Sequence, residues 1–340
     1  MVEFKAEFVG LSGSQQKLLD EAGIVAPLDT TVLLTGESGT GKELLAHYIH
    51  RHSPRREGPF VICDCAALPA TLCEGELFGY RRGAFTGAQA DSLGYLASSH
   101  GGTIFLDEIA ELGAGSQTKL LRFLEERTVT PLGEVRPRQL DARIVAATNR
   151  DLDELVSAGR FREDLYFRLN VVNLTVNPLR DRPEDIEPLC EHFRRLFAVK
   201  HGKRVVGFTP QALAALLAWR WPGNVRELRN AVERAAVLCR GTWIDRADLP
   251  EKIARGEGTA VSLRRPVAAG EPAREAAPDS DGTFESLTLE FQRSLLSNAL
   301  AAAGGDRRDA ARRLGLTSHQ FKYLMSSRLG GAARPQASRQ

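Results

Sequence analysis

A glycine-rich stretch between an apolar run and an amphipathic segment has the composition of a loop that binds phosphate. It consists of Gly36, Glu37, Ser38, Gly39, Thr40, Gly41, Lys42 and Glu43. Glycines let backbone N–H groups turn toward phosphate oxygens, and a lysine at this position reaches the terminal phosphates. The match to GxxxxGK[ST] fails at its last position, where Glu43 replaces the usual hydroxyl ligand of magnesium. A chance glycine-rich turn is the weaker alternative, because a strand pattern precedes the loop and a helix pattern follows it.

Two neighbouring acids are candidates for the magnesium ligand that the missing hydroxyl would otherwise provide. Asp107 and Glu108 end the apolar run TIFLDE. In this setting we expect Asp107 to hold Mg²⁺ and Glu108 to orient or activate an attacking water. The alternative, two solvated acids at the end of a strand, is weaker because the pair follows a phosphate loop in the right order.

Apolar runs alternate with amphipathic segments between about residues 30 and 176. The runs are TTVLLTG, PFVICD, TIFLDE, ARIVAATN and VVNLTV, and each predicts a strand that is buried on both faces. Alternation of strands and helices predicts an α/β fold with a mostly parallel sheet. We assign residues 1–180 to this first subdomain.

Residues 181–250 change to helical periodicity. Three segments in this range space their apolar residues three and four apart, which predicts a small all-helical lid. Asn224, followed by Glu227, has the spacing of a capping box at the start of the last helix.

The composition excludes several classes of protein. Hydrophobic residues make up 43% and charged residues 26% of the chain, as in an ordinary soluble globular protein. No run of about 18 apolar residues is present and the N-terminal MVEFKAEFVG has no signal pattern, so we expect no membrane span and a cytoplasmic location. Five cysteines without paired CxxC spacing argue against disulfides or zinc and favour reduced thiols.

Six sequence blocks together resemble one family. They are GESGTGKE (36–43), ELFGYRRGAFTGA (76–88), GGTIFLDEI (101–109), AATNRDL (146–152), GRFREDLYFRLNV (159–171) and WPGNVRELRN (221–230). The chain resembles the sigma-54-dependent transcriptional activators, a branch of the AAA+ ATPases. In that family the phosphate loop also ends in GKE. The resemblance implies an ATPase that uses ATP and Mg²⁺ to remodel the closed complex of sigma-54 RNA polymerase into an open complex.

The GAFTGA segment is the most specific of these blocks. It comprises Gly83, Ala84, Phe85, Thr86, Gly87 and Ala88. In the family this loop contacts sigma-54, and its glycines permit unusual backbone angles and hinge motion. The resemblance implies that Phe85 and Thr86 form an apolar and a hydrogen-bonding tip for this partner. The alternative is a glycine-rich surface turn with a half-buried Phe85.

The resemblance assigns further roles position by position. Asn149 is expected to sense the γ-phosphate, and Arg226 resembles the second sensor at the start of the last lid helix. Arg162 and Arg168 match arginine fingers that reach the nucleotide of a neighbouring subunit. Fingers that act in trans imply a homo-hexamer in the active state. For each arginine, the alternative is a surface or salt-bridging residue.

One position departs from the family pattern. Asp64, in FVICDCAAL, stands where these activators usually carry Asn, which restrains the catalytic Glu until nucleotide arrives. An amide can donate a hydrogen bond to Glu108, whereas an ionised Asp cannot and repels it. We expect altered coupling between nucleotide state and loop movement rather than lost hydrolysis.

The C-terminal part of the chain predicts a linked DNA-binding module. Residues 251–282 are poor in large apolar groups and predict a flexible linker, and residues 331–340 a disordered tail. Residues 283–340 hold nine Lys/Arg and four Asp/Glu, which suits a polyanionic partner. Residues 283–330 resemble a Fis-type helix-turn-helix for double-stranded enhancer DNA. Its outward residues are Thr317, Ser318, His319, Gln320, Lys322 and Tyr323; a hairpin used only for dimerisation is the alternative.

The ATPase pattern starts at about residue 8, so we expect no sensory domain before it. This arrangement is most similar to the phage-shock-protein operon activators, which are controlled by a separate inhibitor protein; plant-pathogen secretion-gene activators are also similar. Two rival functions remain open. One is another AAA+ remodeller, such as a helicase loader or unfoldase. The other is a DNA-binding regulator whose ATP site acts as a switch.

Overall fold

The computed structural model of the chain describes residues 12–85, 87–256, 299–300, 303, 306 and 309–311. The chain divides into two units, residues 1–263 and 264–340. The predicted DNA-contacting residues 317–323 and the predicted tail 331–340 lie outside the described residues, as does most of the predicted linker.

The first unit contains all of the strands and long helices given below. The strands are β1 (Val32–Thr35), β2 (Phe60–Asp64), β3 (Thr103–Asp107), β4 (Thr128–Val129), β5 (Arg138–Gln139), β6 (Arg143–Thr148), β7 (Val172–Thr175), β8 (Gly207–Phe208) and β9 (Trp243–Ile244). The helices are α1 (Gly13–Val25), α2 (Lys42–Arg51), α3 (Ala70–Phe78), α4 (Tyr95–Ser98), α5 (Ala114–Glu126), α6 (Leu152–Ser157), α7 (Glu163–Leu169), α8 (Ile186–Lys200), α9 (Pro210–Ala218), α10 (Asn224–Leu238) and α11 (Glu251–Arg255).

The five predicted apolar runs form one parallel sheet in the order β2-β3-β6-β1-β7. The prediction of a parallel α/β sheet is therefore confirmed. Burial on both faces holds for β3 and β6 but not for β2 or β7: Ile62 in β2 is 40% exposed, and Asn173 and Thr175 in β7 are exposed. These two strands are more exposed because each lies at an edge of the sheet, with one neighbouring strand instead of two.

Alternating residues of the central strands divide between two cores. Leu33 and Leu106 belong to the core under α3 and α5, whereas Leu34, Phe105 and Val145 belong to the core under α1 and α2. Successive side chains of a strand point to opposite faces, so a strand covered on both sides must be apolar at every position. Helices on both faces leave the carboxyl ends of the strands as the open edge.

A buried arginine lies at the opposite end of the sheet, where the strands begin. Arg143, at the start of β6, donates from Nη1 to the carbonyl oxygen of Ala26 at 2.6 Å and from Nη2 to that of Val25 at 3.0 Å. Burial lowers the pKa of Arg143, although Asp29 opposes the shift. These bonds satisfy carbonyls at the end of α1, which has no basic residue in its last turn.

The lid packs α8, α9 and α10 around a core that includes Phe197, Trp221 and Val232. The prediction of an all-helical lid is wrong in one respect, because β8 and β9 form a short parallel pair. Two-residue strands carry no readable periodicity. Helix α11 continues the lid beyond residue 250, and Ile253 is buried in the same core.

All five cysteines are buried and free, as the sequence predicts. Among the described residues, none of the helices has both the length and the apolar character needed to cross a membrane.

Candidate nucleotide-binding site

The predicted phosphate loop connects β1 to α2 at the carboxyl edge of the sheet. Gly36 has φ +147° and lies so close to Val176 that a Cβ would be 2.5 Å from its carbonyl oxygen. Gly39 has φ +76°, and a Cβ there would be 2.6 Å from the carbonyl oxygen of Gly223. The loop therefore requires glycine at both positions, once for close approach to the sheet and once for close approach to the lid.

Lys42 is the first residue of α2 and is only 6% exposed. Its Nζ donates to the carbonyl oxygens of Gly36 at 2.8 Å and Glu37 at 3.2 Å. Burial lowers the pKa of Lys42, while the charges of Glu108 and Asp107 oppose this shift. An ammonium group has three N–H donors, so one remains for a phosphate oxygen.

The two predicted acids lie where β3 ends. Asp107 Oδ1 accepts a hydrogen bond from the backbone N–H of Glu108 at 3.0 Å, and Glu108 adopts a left-handed conformation with φ +50°. Glu108 Oε2 accepts from the backbone N–H of Asn149 at 3.2 Å. The site thus brings together three predicted residues from two adjacent strands. Asp107 offers carboxylate oxygens, which are the ligands that Mg²⁺ prefers, so the residues present fit this ion.

Asp64 ends β2 and is the register partner of Asp107. Its Oδ1 accepts from the backbone N–H groups of Ala66 at 3.0 Å and Ala67 at 3.3 Å. The carboxylate therefore stabilises the turn that leaves β2 toward α3. Asp64 and Glu108 have different partners in this conformation.

A cavity of about 610 Å³ lies between the phosphate loop, the end of β6 and the start of α10. Its lining residues are Glu37, Ser38, Asn149, Pro222, Gly223, Arg226, Glu227 and Asn230. Arg226 Nη1 donates to Ser38 Oγ at 2.9 Å. The structure thus places both predicted sensors, Asn149 and Arg226, on the walls of one cavity.

An ion pair and an amide join the phosphate loop to the lid. Arg180 donates two hydrogen bonds to the carboxylate of Glu37, at 2.8 and 2.6 Å. Asn224 Nδ2 donates to Glu37 Oε2 at 3.1 Å and to the Ser38 carbonyl at 3.0 Å, while its Oδ1 accepts from Leu179 N–H at 2.8 Å. The hydrogen bonds from Arg180, and to a lesser extent the one from Asn224, lower the pKa of Glu37 to about 2.

The predicted capping role of Asn224 is wrong. Its side chain is fully buried and occupied by these distant partners, and Gly223 precedes the first helical residue. Glu227 does reach back as a capping box requires, because its Oε2 accepts from Gly223 N–H at 2.8 Å. The Asn224 side chain thus bonds to residues distant in sequence instead of to the first backbone N–H groups of its own helix.

Sequence reasoning also missed Arg182. This buried side chain donates to Gln15 Oε1 at 2.6 Å and to the Thr40 carbonyl at 2.9 Å. Asp185 accepts from both the N–H and the hydroxyl of Ser12, at 2.7 and 2.8 Å. Arg182 and Asp185 together connect α1, the phosphate loop and the entry to the lid. A run of alternating charges in the sequence, LRDRPED, was the available signal.

Neither predicted arginine finger lines the cavity. Arg162 is 45% exposed and pairs with Asp164 at 2.7 Å. Arg168 is 59% exposed and lies 3.6 Å from Glu125. Both are surface ion pairs of the kind that the sequence alternative described, and such pairs are weak enough to be exchanged for another anion.

The GAFTGA segment lies folded against its own subdomain. The Gly83 N–H donates to the Ala88 carbonyl at 2.9 Å, which closes the loop. The half-buried ring of Phe85 packs edge-on against Tyr80, with ring centroids 5.0 Å apart. Phe85 is therefore not displayed as a tip in this conformation, and Thr86 lies outside the described residues. The flanking Arg81 N–H donates to Leu132 at 2.9 Å, in the connection between β4 and β5.

A glycine loop after β1, two acids at the end of β3 in the same parallel sheet and a lid over the site define an AAA+ ATPase domain. Residues 8–175 match the Sigma-54 interaction domain, and residues 180–265 match the AAA+ ATPase lid domain. The chain belongs to the family of sigma-54-dependent transcriptional regulators.

Several relatives are similar over most of the chain. "Transcriptional regulatory protein ZraR" of Klebsiella oxytoca is 47% identical over 309 residues, which cover 91% of this chain and 66% of ZraR. "Response regulator protein FleR" of Pseudomonas aeruginosa is 43% identical, with coverage of 94% and 69%. The crystal structure of NtrX from Brucella abortus in complex with ADP is 31% identical with a TM-score of 0.69, and covers 94% of this chain and 69% of NtrX. The chain thus spans about two thirds of the length of these relatives.

Proposed function

We propose that this protein is a transcription activator that binds enhancer DNA and uses ATP hydrolysis to convert the closed complex of sigma-54 RNA polymerase into an open complex. The observation that carries the proposal is that one sigma-54 interaction domain holds both a GAFTGA segment and a set of residues suited to ATP hydrolysis. The set comprises Lys42, Asp107, Glu108 and Asn149. Similarity to NtrX, which was crystallised with ADP, supports nucleotide binding.

Each residue of the set has a part in hydrolysis. Lys42 neutralises charge on the terminal phosphates, and Glu108 orients and deprotonates the attacking water. The hydrogen bond from Asn149 N–H holds the carboxylate of Glu108 in place. Magnesium, held beside Asp107, supplies further positive charge to the phosphates when bound.

The active assembly in this proposal is a homo-hexameric ring. Arg162 and Arg168 are exposed and lie outside the cavity of their own subunit, so they can reach the cavity of a neighbour only if subunits pack side by side. In that position each guanidinium would stabilise negative charge that develops on the transferred phosphoryl group. Both would exchange an exposed carboxylate for a phosphate.

Nucleotide state is passed to the GAFTGA segment through β2 and α3. Asp64 fixes the turn after β2, α3 follows it, and the segment begins five residues after α3 ends at Phe78. Hydrolysis would release Phe85 from Tyr80 so that its ring engages sigma-54. A carboxylate at position 64 alters this coupling because it cannot donate a hydrogen bond to Glu108.

The DNA-binding part of the proposal rests on the sequence of residues 283–330. The basic surplus and the residues from Thr317 to Tyr323 suit the major groove and its phosphates. Affinity for the enhancer would then fall steeply as salt concentration rises.

The partner is tested by complex formation with purified sigma-54. The protein is incubated with ADP and aluminium fluoride, a mimic of the transferring phosphoryl group, and complexes are separated by native electrophoresis. The proposal predicts a complex that Phe85→Ala abolishes. The control Val199→Ala, which shortens another exposed apolar side chain on the lid, should retain it. If the natural protein and Val199→Ala both fail to bind sigma-54 although both hydrolyse ATP, the domain remodels another partner.

A further inference from the structure

Three polar side chains of α10 line the nucleotide cavity, and two of them have protein partners. Arg226 donates to Ser38 Oγ. The Glu227 carboxylate accepts from Trp219 Nε1 at 3.1 Å and from Gly223 N–H at 2.8 Å. Among the described residues, Asn230 has neither a hydrogen-bond partner nor an ion pair, and its side chain is exposed to the cavity.

The position of Asn230 follows from helix geometry. It lies four residues after Arg226, so both side chains point from the same face of α10, about one turn apart, or about 6 Å along the axis. Asn149 lines the same cavity, and its backbone N–H donates to Glu108. Because Glu108 is the group that serves the attacking water, the terminal phosphate is expected in this cavity, which Asn230 also lines.

A primary amide has two N–H donors and carries no charge. At a cavity wall that already holds Arg226, it can bind a phosphate oxygen without adding to the repulsion among cations. An amide at this position also loses nothing when the site is empty, since water satisfies it.

We propose that Asn230 is a nucleotide-binding residue that distinguishes ATP from ADP. Its Nδ2 donates to an oxygen of the terminal phosphate and so links closure of the lid to the triphosphate. The proposal rests on the ATPase assignment and adds a second lid residue, one helical turn beyond Arg226, to the phosphate contacts.

The test compares the dissociation constants of a non-hydrolysable ATP analogue and of ADP for Asn230→Ala and Asn230→Asp, by calorimetry on the full chain. One lost hydrogen bond to a charged group corresponds to roughly tenfold in affinity. We expect Asn230→Ala to weaken the analogue about tenfold and to leave ADP within about twofold. Asn230→Asp should weaken the analogue more, because a carboxylate repels phosphate.

Arg234→Ala is the matched control. Arg234 is exposed, lies one turn further along α10 and is not among the residues that line the cavity. Equal weakening of both nucleotides in Asn230→Ala would place the contact at the base, the ribose or the inner phosphates and overturn the proposal, as would unchanged binding. Absence of ATP hydrolysis by the unmodified protein would overturn the ATPase assignment itself, and is measured first.

Discussion

The carboxylate of Glu37 and the guanidinium of Arg180 form a two-pronged ion pair between the phosphate loop and the entry to the lid, with contacts of 2.8 and 2.6 Å. Asn224 donates to the same carboxylate. The orientation of the lid is therefore coupled directly to the conformation of the loop that surrounds the phosphates. A change in the conformation of that loop when nucleotide binds would therefore shift the start of α10, where Arg226 lies.

The first prediction concerns the pH dependence of this ion pair. The pKa of Glu37 is lowered to about 2 from its usual 4.5, so its stabilising effect is complete above pH 4.5 and is lost as pH falls from 4.5 toward 2. Both side chains are more than 40% exposed, so water screens the pair and we expect no more than about 1 kcal/mol. Urea unfolding of the natural protein and of Glu37→Gln should differ at pH 6 and converge near pH 2.

Glu21→Gln serves as the control, because Glu21 is exposed on α1 and has no ion pair among the described residues. Its difference from the natural protein should stay small across the same range. A Glu37→Gln difference that persists unchanged to pH 2 would contradict the role assigned to the ion pair.

The second prediction concerns the contact between the phosphate loop and the lid. In Gly39→Ala the new Cβ would lie 2.6 Å from the Gly223 carbonyl and 3.0 Å from Arg226 Cβ, at φ +76°. The start of α10 must move, and we expect ATP affinity to fall by about tenfold or more. Equilibrium titration with a fluorescent ATP analogue measures this effect.

Gly202→Ala separates the steric clash from backbone strain. Gly202 has a similar φ of +62° but open space around its Cβ position. This variant should lose about 1–2 kcal/mol of stability from the left-handed backbone alone and bind ATP normally. Equal losses of affinity in both variants would show that the lid contact is unimportant.

How far the sequence predicts this fold depends on the range of the interactions involved. The apolar runs of β3 and β6 predict buried strands because that pattern is local, and the acids at 107 and 108 follow from the end of such a strand. The Glu37–Arg180 pair joins residues 143 positions apart and the Glu37–Asn224 bond joins residues 187 apart. No local pattern encodes contacts at that separation.

Asn224 shows how a correct local rule can give the wrong answer. Its spacing from Glu227 satisfies the capping pattern, and Glu227 does complete its half by accepting from Gly223. The amide of Asn224 instead satisfies Leu179, Ser38 and Glu37 in the buried interface between loop and lid. Phe85 is similar: its flanking glycines predict mobility, but only the structure shows that its ring rests on Tyr80.

The third prediction tests the arginine fingers by mixing inactive subunits. Glu108→Gln and Arg168→Ala should each abolish most ATP turnover when assembled alone. In mixed rings, an Arg168→Ala subunit retains its own Glu108 and can receive Arg168 from a neighbouring Glu108→Gln subunit. Turnover should therefore recover on mixing, measured by phosphate release.

Absence of recovery, with mixed assembly confirmed by chromatography, would mean that Arg168 acts within its own subunit or not at all. Mixing Glu108→Gln with Lys42→Ala provides the control. Both changes disable the subunit's own site, so that mixture should stay inactive.

The fourth prediction concerns Asp64. Asp64→Asn keeps an oxygen for the N–H groups of Ala66 and Ala67 and gains N–H donors for Glu108. We expect ATP hydrolysis to persist and the amount of promoter opened per ATP hydrolysed to change. Asp64→Ala, which loses the turn bonds as well, is the comparison that isolates the donor. Identical turnover and identical promoter opening in Asp64→Asn would refute this role.

The central claim is most directly tested by promoter opening on a sigma-54 promoter with purified sigma-54 RNA polymerase, detected by the reactivity of unpaired thymines. Opening is expected with ATP but not with a non-hydrolysable analogue, and Phe85→Ala should lose opening while it still hydrolyses ATP. Opening without hydrolysis, or undiminished opening by Phe85→Ala, would contradict it.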